Sequence, residues 1–308
     1  MKDVSLKPES LRTARATASL LAPAHCLELL RKGETEKGDP LKTARVAGIL
    51  AAKRTDELIP LCHPLPIYRA DVSFEILNDR VRVITEVETI APTGVEMEAL
   101  AAASVAALTL YDMLKPYAKA EELTITDCKL EKKRGGKSQF HRKLARPLSA
   151  SVIVLSDTVA SGKKPDTAGR AVTDALKFAG FEPVTYEVLP DEPTQLGPLV
   201  QAQLKQGVGF IATVGGTGLG PRDKTIETVR PLLTIEIPGI MEAARSFGQR
   251  RTPYAMLSRG IAGFAGTSLI VTFPGSRRGA EESVAALLPG LIHLLDVFSG
   301  AQHKDGYQ

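Results

Sequence analysis

The chain has 308 residues, 44% of them hydrophobic and 24% charged, which is enough for about two domains that each bury a core. Its longest nearly apolar run, residues 99–111, is shorter than the ~20 residues that span a bilayer, and the N-terminal MKDVSLKPES lacks the apolar segment of a signal peptide. Cys26, Cys62 and Cys128 define neither a disulfide framework nor a metal-ligand spacing. A soluble, cytoplasmic protein is expected.

The net charge of +4 lies mainly in residues 129–146, where eight basic residues accompany one acidic residue. Such a run is most often a solvated tail or linker, and less often a nucleic-acid patch or a site for an anionic small molecule. Nucleic acid is the weaker functional interpretation, because aromatic residues that stack on bases make up only 5% of the chain.

The first part of the chain, residues 1–146, contains both helical and strand-like patterns. Pro40 suits the first turn of a helix, and Asp39 suits its N-cap. The predicted elements are helices over 40–55 and 93–115, and strands over 69–76, 80–89 and 122–130, with a turn at Asn78-Asp79. Strands with helices packed on one side indicate an α+β layer.

After Pro147 the pattern changes to strands that end in Gly, Pro or Asp, with helices between them. The predicted strands are 150–157, 182–191, 207–216 and 267–275, and the predicted helices include 166–180 and 279–298. This alternation is typical of a doubly wound parallel α/β sheet, whose ligands bind beyond the carboxyl ends of the strands. We expect two different domains, 1–146 and 147–308.

Three polar, glycine-bearing loops follow predicted strands of the second domain and indicate one shared anion pocket. One of them, TVGGTGLGPRDKT (213–225), is neither a P-loop nor a dinucleotide fingerprint, but its closely spaced glycines allow backbone N–H groups to converge on a phosphate. Asp223 beside a phosphate requires Mg²⁺ between them; the alternative is a glycine-rich turn with a capping aspartate.

The motifs SDTVASGKKPDTAG, LPDEP, GGTGLGPRDKT, IPGIMEAAR and PGSRRG resemble molybdopterin adenylyltransferases over about residues 149–296. The resemblance implies a molybdopterin-binding fold that adenylylates the pterin phosphate with ATP and Mg²⁺. It implies that Asp191 and Asp223 are needed for the transfer, with Asp223 at the Mg²⁺ through the nucleotide. The substrate-binding residues that it implies are Ser156, Asp157, Gly215, Gly216, Thr217, Gly218 and Ser276.

The last of these loops differs from that family. It reads Pro274-Gly275-Ser276-Arg277, where undoubted adenylyltransferases commonly have Pro-Gly-x-Pro. The alternative is therefore that the second domain is a molybdopterin-binding or oligomerising module without catalysis.

Two features of the first domain have both a structural and a chemical interpretation. The prolines of LIPLCHPLP (58–66) make a rigid, non-helical segment, where His63 is most often a hydrogen-bonded structural residue. Asp112 and Lys115 share a helix face and can contact each other, either as a surface ion pair or as an acid–base pair. Lys37 and Lys53 would ordinarily be surface charges. The alanines between 99 and 107 leave a thin helix that another backbone can approach closely.

The motifs KGDP, TARVAGILAAKRT, LIPLCHPLP, TGVEMEALAAASVAALTLYDMLK and KRGGKS resemble cyclic pyranopterin monophosphate synthase over about residues 2–138. This resemblance implies a ferredoxin-like fold, hexamers whose active sites are shared between subunits, and no tightly bound cofactor. The implied reaction, of lyase type, converts a cyclic dihydroguanosine triphosphate into cyclic pyranopterin monophosphate and pyrophosphate.

The same resemblance makes Asp112 the catalytic acid, with Lys115 and Lys37 as its essential partners. The substrate contacts that it implies are Leu61, Cys62, His63, Glu96, Met97, Glu98, Lys53 and Lys133. The first part of the basic run would gather phosphate, and 139–148 would remain a linker. Together the two resemblances predict a bifunctional enzyme of molybdenum cofactor synthesis, a trimer-based homo-oligomer with pterin and nucleotide substrates and neither nucleic acid nor membrane as a partner.

Overall fold

The protein divides into two compact units, residues 1–140 and 141–308, in a computed structural model that describes residues 1–136 and 143–298. Each unit has its own sheet and its own buried apolar residues. The two units are described in turn.

The first unit contains a four-stranded antiparallel sheet with the strand order β2-β3-β1-β4. Its strands are β1 (Ser10–Leu21), β2 (Arg69–Ile76), β3 (Arg80–Ala91) and β4 (Thr124–Arg134). Its helices are α1 (Ala24–Lys32), α2 (Pro40–Lys53), α3 (Thr55–Leu58) and α4 (Glu96–Leu114), with single 3₁₀ turns at Lys115–Tyr117 and Ala120–Glu122. The predicted helices and strands of this unit are confirmed, and α4 begins three residues later than expected.

The inner strand β1 is absent from the sequence prediction, although it pairs with both β3 and β4. Its core-facing residues include Ala14, Ala16 and Ala18, which are almost fully buried. Alanine has a low strand propensity and a weak apolar signal, so the alternation along β1 does not stand out in the sequence.

The predicted thin helix is α4, and its neighbours do approach its backbone closely. At Gly48 of α2, a side-chain Cβ would lie only 3.0 Å from the carbonyl oxygen of Ala102. From the sheet, the Thr85 hydroxyl donates to the carbonyl oxygen of Ala99 at 2.8 Å. The helical stretch Glu96–Tyr117 is long and apolar enough to cross a membrane, but half of it is buried in this unit, as in the core helix of a soluble domain.

The first part of the basic run is an edge strand rather than a tail. β4 extends to Arg134 and pairs with β1, which places Lys129, Lys132 and Lys133 on a sheet. Residues 137–142 of the run, and with them part of the predicted linker, lie outside the described residues.

The second unit contains a six-stranded sheet with the order β6-β5-β7-β10-β9-β8. Its strands are β5 (Leu148–Leu155), β6 (Phe181–Leu189), β7 (Phe210–Val214), β8 (Ile235–Glu236), β9 (Ala262–Ala265) and β10 (Ser268–Phe273). Its helices are α5 (Asp157–Ala160), α6 (Ala168–Phe178), α7 (Pro193–Lys205), α8 (Thr225–Val229), α9 (Pro238–Gln249) and α10 (Arg277–Phe298), with 3₁₀ turns at Arg230–Leu232 and Ala255–Leu257.

The prediction of a wholly parallel sheet is wrong, because the sheet is mixed. β6, β5, β7 and β10 are parallel, but β9 runs antiparallel to both β10 and β8. The tight turn Gly266-Thr267 joins β9 to β10, and Gly266 has a φ of 61°, which suits a two-residue hairpin.

Alternate residues of β5 enter two different cores. Val152 and Val154 belong to the larger core, which also contains Leu176 of α6, whereas Ile153 lies with Leu196 of α7. Burial on both faces is typical of the central strands of a doubly wound sheet. This architecture leaves the carboxyl ends of the parallel strands free to carry functional loops.

The described part of the predicted linker packs against the second unit. The Leu144 amide donates to the carbonyl oxygen of Ala179 at 3.1 Å, and both Leu144 and Leu148 pack on the larger core. The Lys143 ammonium lies 5.8 Å from the centre of the Phe178 ring.

We predict that a fragment that begins at Lys143 is more stable than one that begins at Pro147. The shorter fragment loses one backbone hydrogen bond and the apolar contact of Leu144, together worth about 1–2 kcal/mol. Its melting temperature should therefore be lower by about 2–8 °C in circular dichroism. Equal melting temperatures would show that these contacts do not stabilise the second unit.

Candidate functional site

The predicted residues at the end of α4 meet in a three-residue ion-pair cluster. The Asp112 carboxylate accepts a hydrogen bond from Lys37 Nζ at its Oδ2 and from Lys115 Nζ at its Oδ1, each at 2.7 Å. Lys37 Nζ also donates to the Asp112 carbonyl oxygen at 3.2 Å. The three side chains are about half exposed, so they can reach a bound substrate.

Local structure holds Lys37 beside α4. It lies in a tight turn in which Gly38 has a φ of 98°, a conformation that favours glycine. The Tyr117 hydroxyl accepts a hydrogen bond from the amide of the preceding Glu36 at 2.8 Å. Asp39 then caps α2 as predicted, accepting from the Leu41 and Lys42 amides.

The lysines keep Asp112 ionised. Hydrogen bonds from Lys115 and then Lys37 lower the pKa of Asp112 to about 2, and Asp112 in turn raises the pKa of Lys115. At neutral pH the cluster therefore holds one carboxylate between two cations. Its excess positive charge suits an anionic substrate, and its lysines suit proton donation rather than proton abstraction.

The remaining predicted contacts lie at the other end of α4. Glu98 is buried with 4% exposure, and its Oε2 has no hydrogen-bond partner, while Met97 beside it is exposed. Leu61 is also exposed, and His63 Nε2 lies 2.8 Å from the Lys2 carbonyl oxygen, a contact that the structural interpretation of His63 predicts. Burial and then Glu98 raise the pKa of the Cys62 thiol, so Cys62 lies within the field of Glu98.

Glu98 is the most perturbed carboxyl group of this end. Burial is the main cause, and the negative charges of Glu96 and Asp56 add to it, raising the pKa of Glu98 to about 7. A buried carboxyl group with one unpartnered oxygen is poised either to donate a hydrogen bond when protonated or to accept one from a ligand.

One helix therefore separates the two groups of residues. Glu98 and Asp112 are both in α4, and the 1.5 Å rise per residue puts them about 20 Å apart. α2 begins beside Asp112 and crosses α4 at Gly48, so its exposed last residue, Lys53, lies toward the Glu98 end. Within a single chain, the predicted residues do not form one site.

A basic cavity of about 340 Å³ adjoins the start of α4. Lys133 Nζ donates to Glu96 Oε1 at 3.1 Å at its edge. The other charged residues that line it are Lys7, Arg12 and Arg134. With four cations and one carboxylate, the cavity has the charge expected of a polyphosphate site.

The glycines of the RGG motif shape this cavity. Gly135 and Gly136 have φ values of 97° and 74°. A side chain on Gly135 would overlap the Leu11 carbonyl oxygen, and one on Gly136 would overlap the Arg12 guanidinium. The glycines therefore let the chain pass directly over Arg12, which donates to the carbonyl oxygens of Ala91 and Pro92.

In the second unit, the predicted residues gather at the carboxyl edge of the sheet. Ser156 and Asp157 follow β5, Asp191 follows β6, the glycines follow β7, and Ser276 follows β10. Ser156 caps α5, and Ser276 Oγ accepts from the Gly279 amide at the start of α10. This arrangement agrees with the predicted convergence of three loops on one pocket.

Asp157 and Asp191 are held together by reciprocal hydrogen bonds. The Asp157 amide donates to Asp191 Oδ2 at 3.2 Å, and the Asp191 amide donates to Asp157 Oδ1 at 3.1 Å. Arg222 bridges Asp157 and Glu192 at 3.0 and 3.1 Å. Burial, together with the charges of Asp157 and Asp223, raises the pKa of Asp191, so the three aspartates share one electrostatic environment.

The glycine loop, residues 215–223, requires glycine where it approaches its neighbours. A side chain on Gly215 would overlap the Leu155 carbonyl oxygen, and one on Gly216 would overlap the Thr225 hydroxyl. Thr217 is buried beside them, and Gly218 lies over the Asp223 carboxylate.

Asp223 closes the end of this loop. Its Oδ2 accepts from the Gly220 amide at 2.8 Å, which is the bond that the capping interpretation predicts. Its metal role stays a prediction.

The carboxylates of Asp191 and Asp223 fit a magnesium ion only if a bound ligand supplies further oxygen atoms. Among the described residues, no group of three or more His, Cys, Asp and Glu side chains is arranged to hold a metal. Burial is the main cause of the raised pKa of Asp191, and repulsion by the negative charges of Asp157 and Asp223 adds to it. Mg²⁺ bound by these carboxylates and by nucleotide phosphates would relieve that repulsion, since Mg²⁺ usually completes its shell with phosphate oxygens and water.

Several residues of these sites have no assigned role in the sequence prediction. In the sequence, Arg12, Tyr117 and Arg222 lie far from the residues that they contact. Arg12 lies on β1, which was itself missed, whereas Arg222 stands beside the predicted Asp223. The adjacency of Arg222 to Asp223 was the one available signal.

Two relatives that match nearly the whole chain share one name. A molybdenum cofactor biosynthesis bifunctional protein from Chlorobaculum tepidum is 41% identical over 306 residues, which are 98% of this chain and 96% of that protein. One of the same name from Synechococcus elongatus is 38% identical over 316 residues, 98% of each chain. The chain belongs to the family of bifunctional molybdenum cofactor biosynthesis proteins.

Each unit of this bifunctional chain also has its own match. Residues 1–136 match the MoaC family, and residues 151–293 match a probable molybdopterin binding domain. Cyclic pyranopterin monophosphate synthase 3 of Mycobacterium tuberculosis is 50% identical over 144 residues, 46% of this chain and 80% of that protein. The crystal structure of the molybdopterin biosynthesis enzyme MoaB from Thermus thermophilus, 42% identical, covers 50% of this chain and 97% of that one with a TM-score of 0.46. Both family assignments made from motifs are confirmed.

We predict that Glu98→Gln stabilises the first unit at pH 8 but not at pH 4. Because the folded pKa of about 7 lies above the usual 4.5, the folded protein holds a proton that the unfolded chain releases between these values. The wild-type free energy of unfolding should therefore fall as pH rises through this window, by about 3 kcal/mol at most. Glutamine has no such titration.

Urea unfolding of the first unit, followed by circular dichroism from pH 4 to pH 8, measures this difference. Glu75→Gln is the matched control, because Glu75 is an exposed residue of β2 that pairs with Arg82. An equal pH-dependent loss of stability in Glu98→Gln and in wild type would contradict a buried, titrating Glu98.

Proposed function

We propose that the first unit converts a cyclic dihydroguanosine triphosphate into cyclic pyranopterin monophosphate and pyrophosphate. The observation that carries the proposal is the cluster of Asp112 between Lys37 and Lys115, in a unit that is 50% identical over 144 residues to a named synthase. Forming the cyclic monophosphate breaks the bond to the leaving pyrophosphate, on which negative charge accumulates. Lysine ammonium groups stabilise that charge and can supply a proton.

The active site of this unit is composite, built by two copies of the chain. The Asp112 cluster and the Glu98 end of α4 lie about 20 Å apart in one copy, farther than one substrate bridges. A second copy that presents its Glu98 end to the first copy's Asp112 would bring Leu61, Cys62, His63, Met97 and Glu98 to the same ligand. This arrangement fits a homo-oligomer with shared sites, and we propose a trimer-based hexamer.

The basic cavity is the best candidate for the polyphosphate end of the substrate. Lys133 and Glu96 were predicted contacts, and Lys7, Arg12 and Arg134 extend the positive surface around them. Arg12 is positioned by two backbone carbonyls, so its guanidinium is pre-oriented for phosphate. Lys53, which lies toward this end of α4, adds a further cation.

The fold of the first unit supports the same family. Its elements follow the order β-α-β-β-α-β, and its strands lie in the order β2-β3-β1-β4, which is the ferredoxin-like arrangement. We place the functional boundary between a synthase domain, 1–146, and a molybdopterin-binding domain, 147–308. Both domains are soluble and act in the cytoplasm on small pterin and nucleotide substrates.

The second unit is proposed to bind molybdopterin and to adenylylate it with ATP and Mg²⁺. The glycine loop offers backbone N–H groups to a phosphate, and Asp191 and Asp223 would hold the Mg²⁺ that contacts the nucleotide. Bound Mg²⁺ would neutralise phosphate charge during AMP transfer. Ser156, Asp157 and Ser276 border the same edge of the sheet and are proposed to contact the substrate.

The second candidate function, molybdopterin binding without catalysis, is favoured by the last loop. Ser276 is followed by Arg277, where undoubted adenylyltransferases commonly have proline, and the Arg277 guanidinium pairs with Glu281 at 2.8 Å. Under this alternative the glycine loop holds the pterin phosphate and no AMP is transferred.

We predict that two inactive variants of the first unit restore activity when their subunits are mixed. Asp112→Ala removes one half of the composite site and His63→Ala the other, so a mixed pair retains one intact site of its two. Random reassociation should recover about a quarter of the wild-type rate of cyclic pyranopterin monophosphate formation.

Asp112→Ala mixed with Lys37→Ala is the control, because both changes lie in the same half and every site stays defective. If the Asp112→Ala and His63→Ala mixture recovers nothing, the composite site is wrong.

We predict that Asp223→Asn lowers AMP transfer to molybdopterin by about a hundredfold or more, since it removes the charge that binds Mg²⁺. Asparagine keeps the hydrogen bond from the Gly220 amide, so the loop and molybdopterin binding should survive. Radiolabelled AMP transfer measures the rate, and Asp174→Asn, an exposed acid of α6, is the control. Undiminished transfer in Asp223→Asn overturns the metal role, and no transfer in the wild-type protein favours the binding-only function.

A further inference from the structure

Arg259 touches the glycine loop at both ends. Its Nε donates to the Gly218 carbonyl oxygen at 2.7 Å, and its Nη2 donates to the Asp223 carbonyl oxygen at 2.7 Å. Its backbone amide donates to the Thr217 carbonyl oxygen at 3.0 Å. One residue, more than thirty positions along the chain, therefore binds three carbonyl groups of the loop, including that of Asp223.

An ion pair fixes the orientation of this guanidinium. Nη1 of Arg259 donates to Glu227 Oε1 at 2.5 Å, and the hydrogen bond from Arg259 is the main cause of the lowered pKa of Glu227. All three nitrogens of the planar group are thus engaged in different directions. A lysine ammonium cannot bind two carbonyls and a carboxylate with this fixed geometry.

The backbone under Arg259 is tied to the core of the sheet. The Ile261 amide donates to the buried Thr272 hydroxyl at 2.7 Å, and the Thr272 amide donates to the Ile261 carbonyl oxygen at 3.1 Å. The intervening Gly260 lies so close to Met241 that a Cβ would come within 2.6 Å of its terminal methyl group. Arg259 therefore projects from a fixed position just before β9.

The first part of the loop is held by the sheet, because the Gly215 amide donates to the Phe273 carbonyl oxygen at 3.0 Å and Thr217 is buried. The second part, residues 218–223, is more exposed, and Leu219 at its tip is 70% exposed. The bonds between Asp223 and Gly220 close the turn from within but do not fix it to the sheet. Arg222 and Arg259 provide the side-chain links from residues 218–223 to other elements.

We propose that Arg259 is a positioning residue of the second unit, which fixes the glycine loop so that the Asp223 carboxylate and the loop N–H groups meet the nucleotide phosphates. The proposal rests on AMP transfer as the function of this unit. A displacement of about 1 Å at a reacting group commonly costs about a hundredfold in rate, so an arginine that touches no substrate can control the reaction.

The test uses the full chain with Arg259→Ala, Arg259→Lys and the control Arg230→Ala. Arg230 and Arg259 both line a cavity of about 630 Å³, but the ion pair of Arg230 is with Glu236 rather than with the loop. Hydrogen–deuterium exchange of the 215–223 peptide should increase at least severalfold in Arg259→Ala and stay at the wild-type level in Arg230→Ala. Exchange of the β5 and β7 peptides, measured on the same samples, checks that the second unit of each variant is folded.

Kinetic measurements then distinguish a loss of loop positioning from a general loss of structure. In Arg259→Ala, kcat for AMP transfer should fall by about ten- to a hundredfold, and millimolar guanidinium ion should restore part of it by occupying the vacated space. Arg259→Lys keeps the positive charge but not the planar arrangement of N–H donors, so its kcat for AMP transfer should lie between those of wild type and Arg259→Ala. Merely structural damage would not respond to guanidinium.

If the 215–223 peptide of Arg259→Ala exchanges at the wild-type rate, the proposal is wrong. Undiminished AMP transfer in that variant also overturns it. If Arg259→Ala does not fold, Arg259→Lys decides by the same two measurements. Absence of transfer in the wild-type chain refutes the proposed function instead, and loop exchange alone then decides whether Arg259 positions the loop.

Discussion

The close approach of α2 and β3 to the backbone of α4 is the contact on which the first unit depends. Gly48 and the small side chains of α4 allow it, and the Thr85 hydroxyl joins the sheet to the carbonyl of Ala99. Because α2 crosses α4 at this point, its N-terminal turn brings Lys37 to Asp112. The same rigid helix keeps Glu98 at the far end, which is why we infer a site completed by a second copy of the chain.

The two units carry different candidate sites for phosphate. In the first, the proposed site is made of side-chain cations, with lysines on both sides of Asp112 and a basic cavity bounded by Arg12 and Lys133. In the second, the proposed site is the glycine loop, beside Asp191 and Asp223. The proposed reactions are not consecutive steps of cofactor synthesis, so each site follows the demands of its own substrate.

Sequence patterns predicted elements with a strong local signal and missed those that depend on distant partners. The cap at Asp39 and the contact of Asp112 with Lys115 follow from nearby residues, and both are present. β1 was missed because alanines carry its inward face, and β9 was missed because four residues in a hairpin give little periodicity. The role of Arg259 could not be predicted, since only the folded sheet brings it to the glycine loop.

The most direct test of the central claim is product analysis of the purified full-length protein with the cyclic dihydroguanosine triphosphate. We predict that cyclic pyranopterin monophosphate and pyrophosphate form in equal amounts, and that both disappear in Lys115→Ala while the protein stays folded. The pairing of Lys115 with Asp112 at 2.7 Å is the basis of that expectation. An unconsumed substrate, or near-normal turnover in folded Lys115→Ala, would contradict the assignment of this cluster as the synthase site.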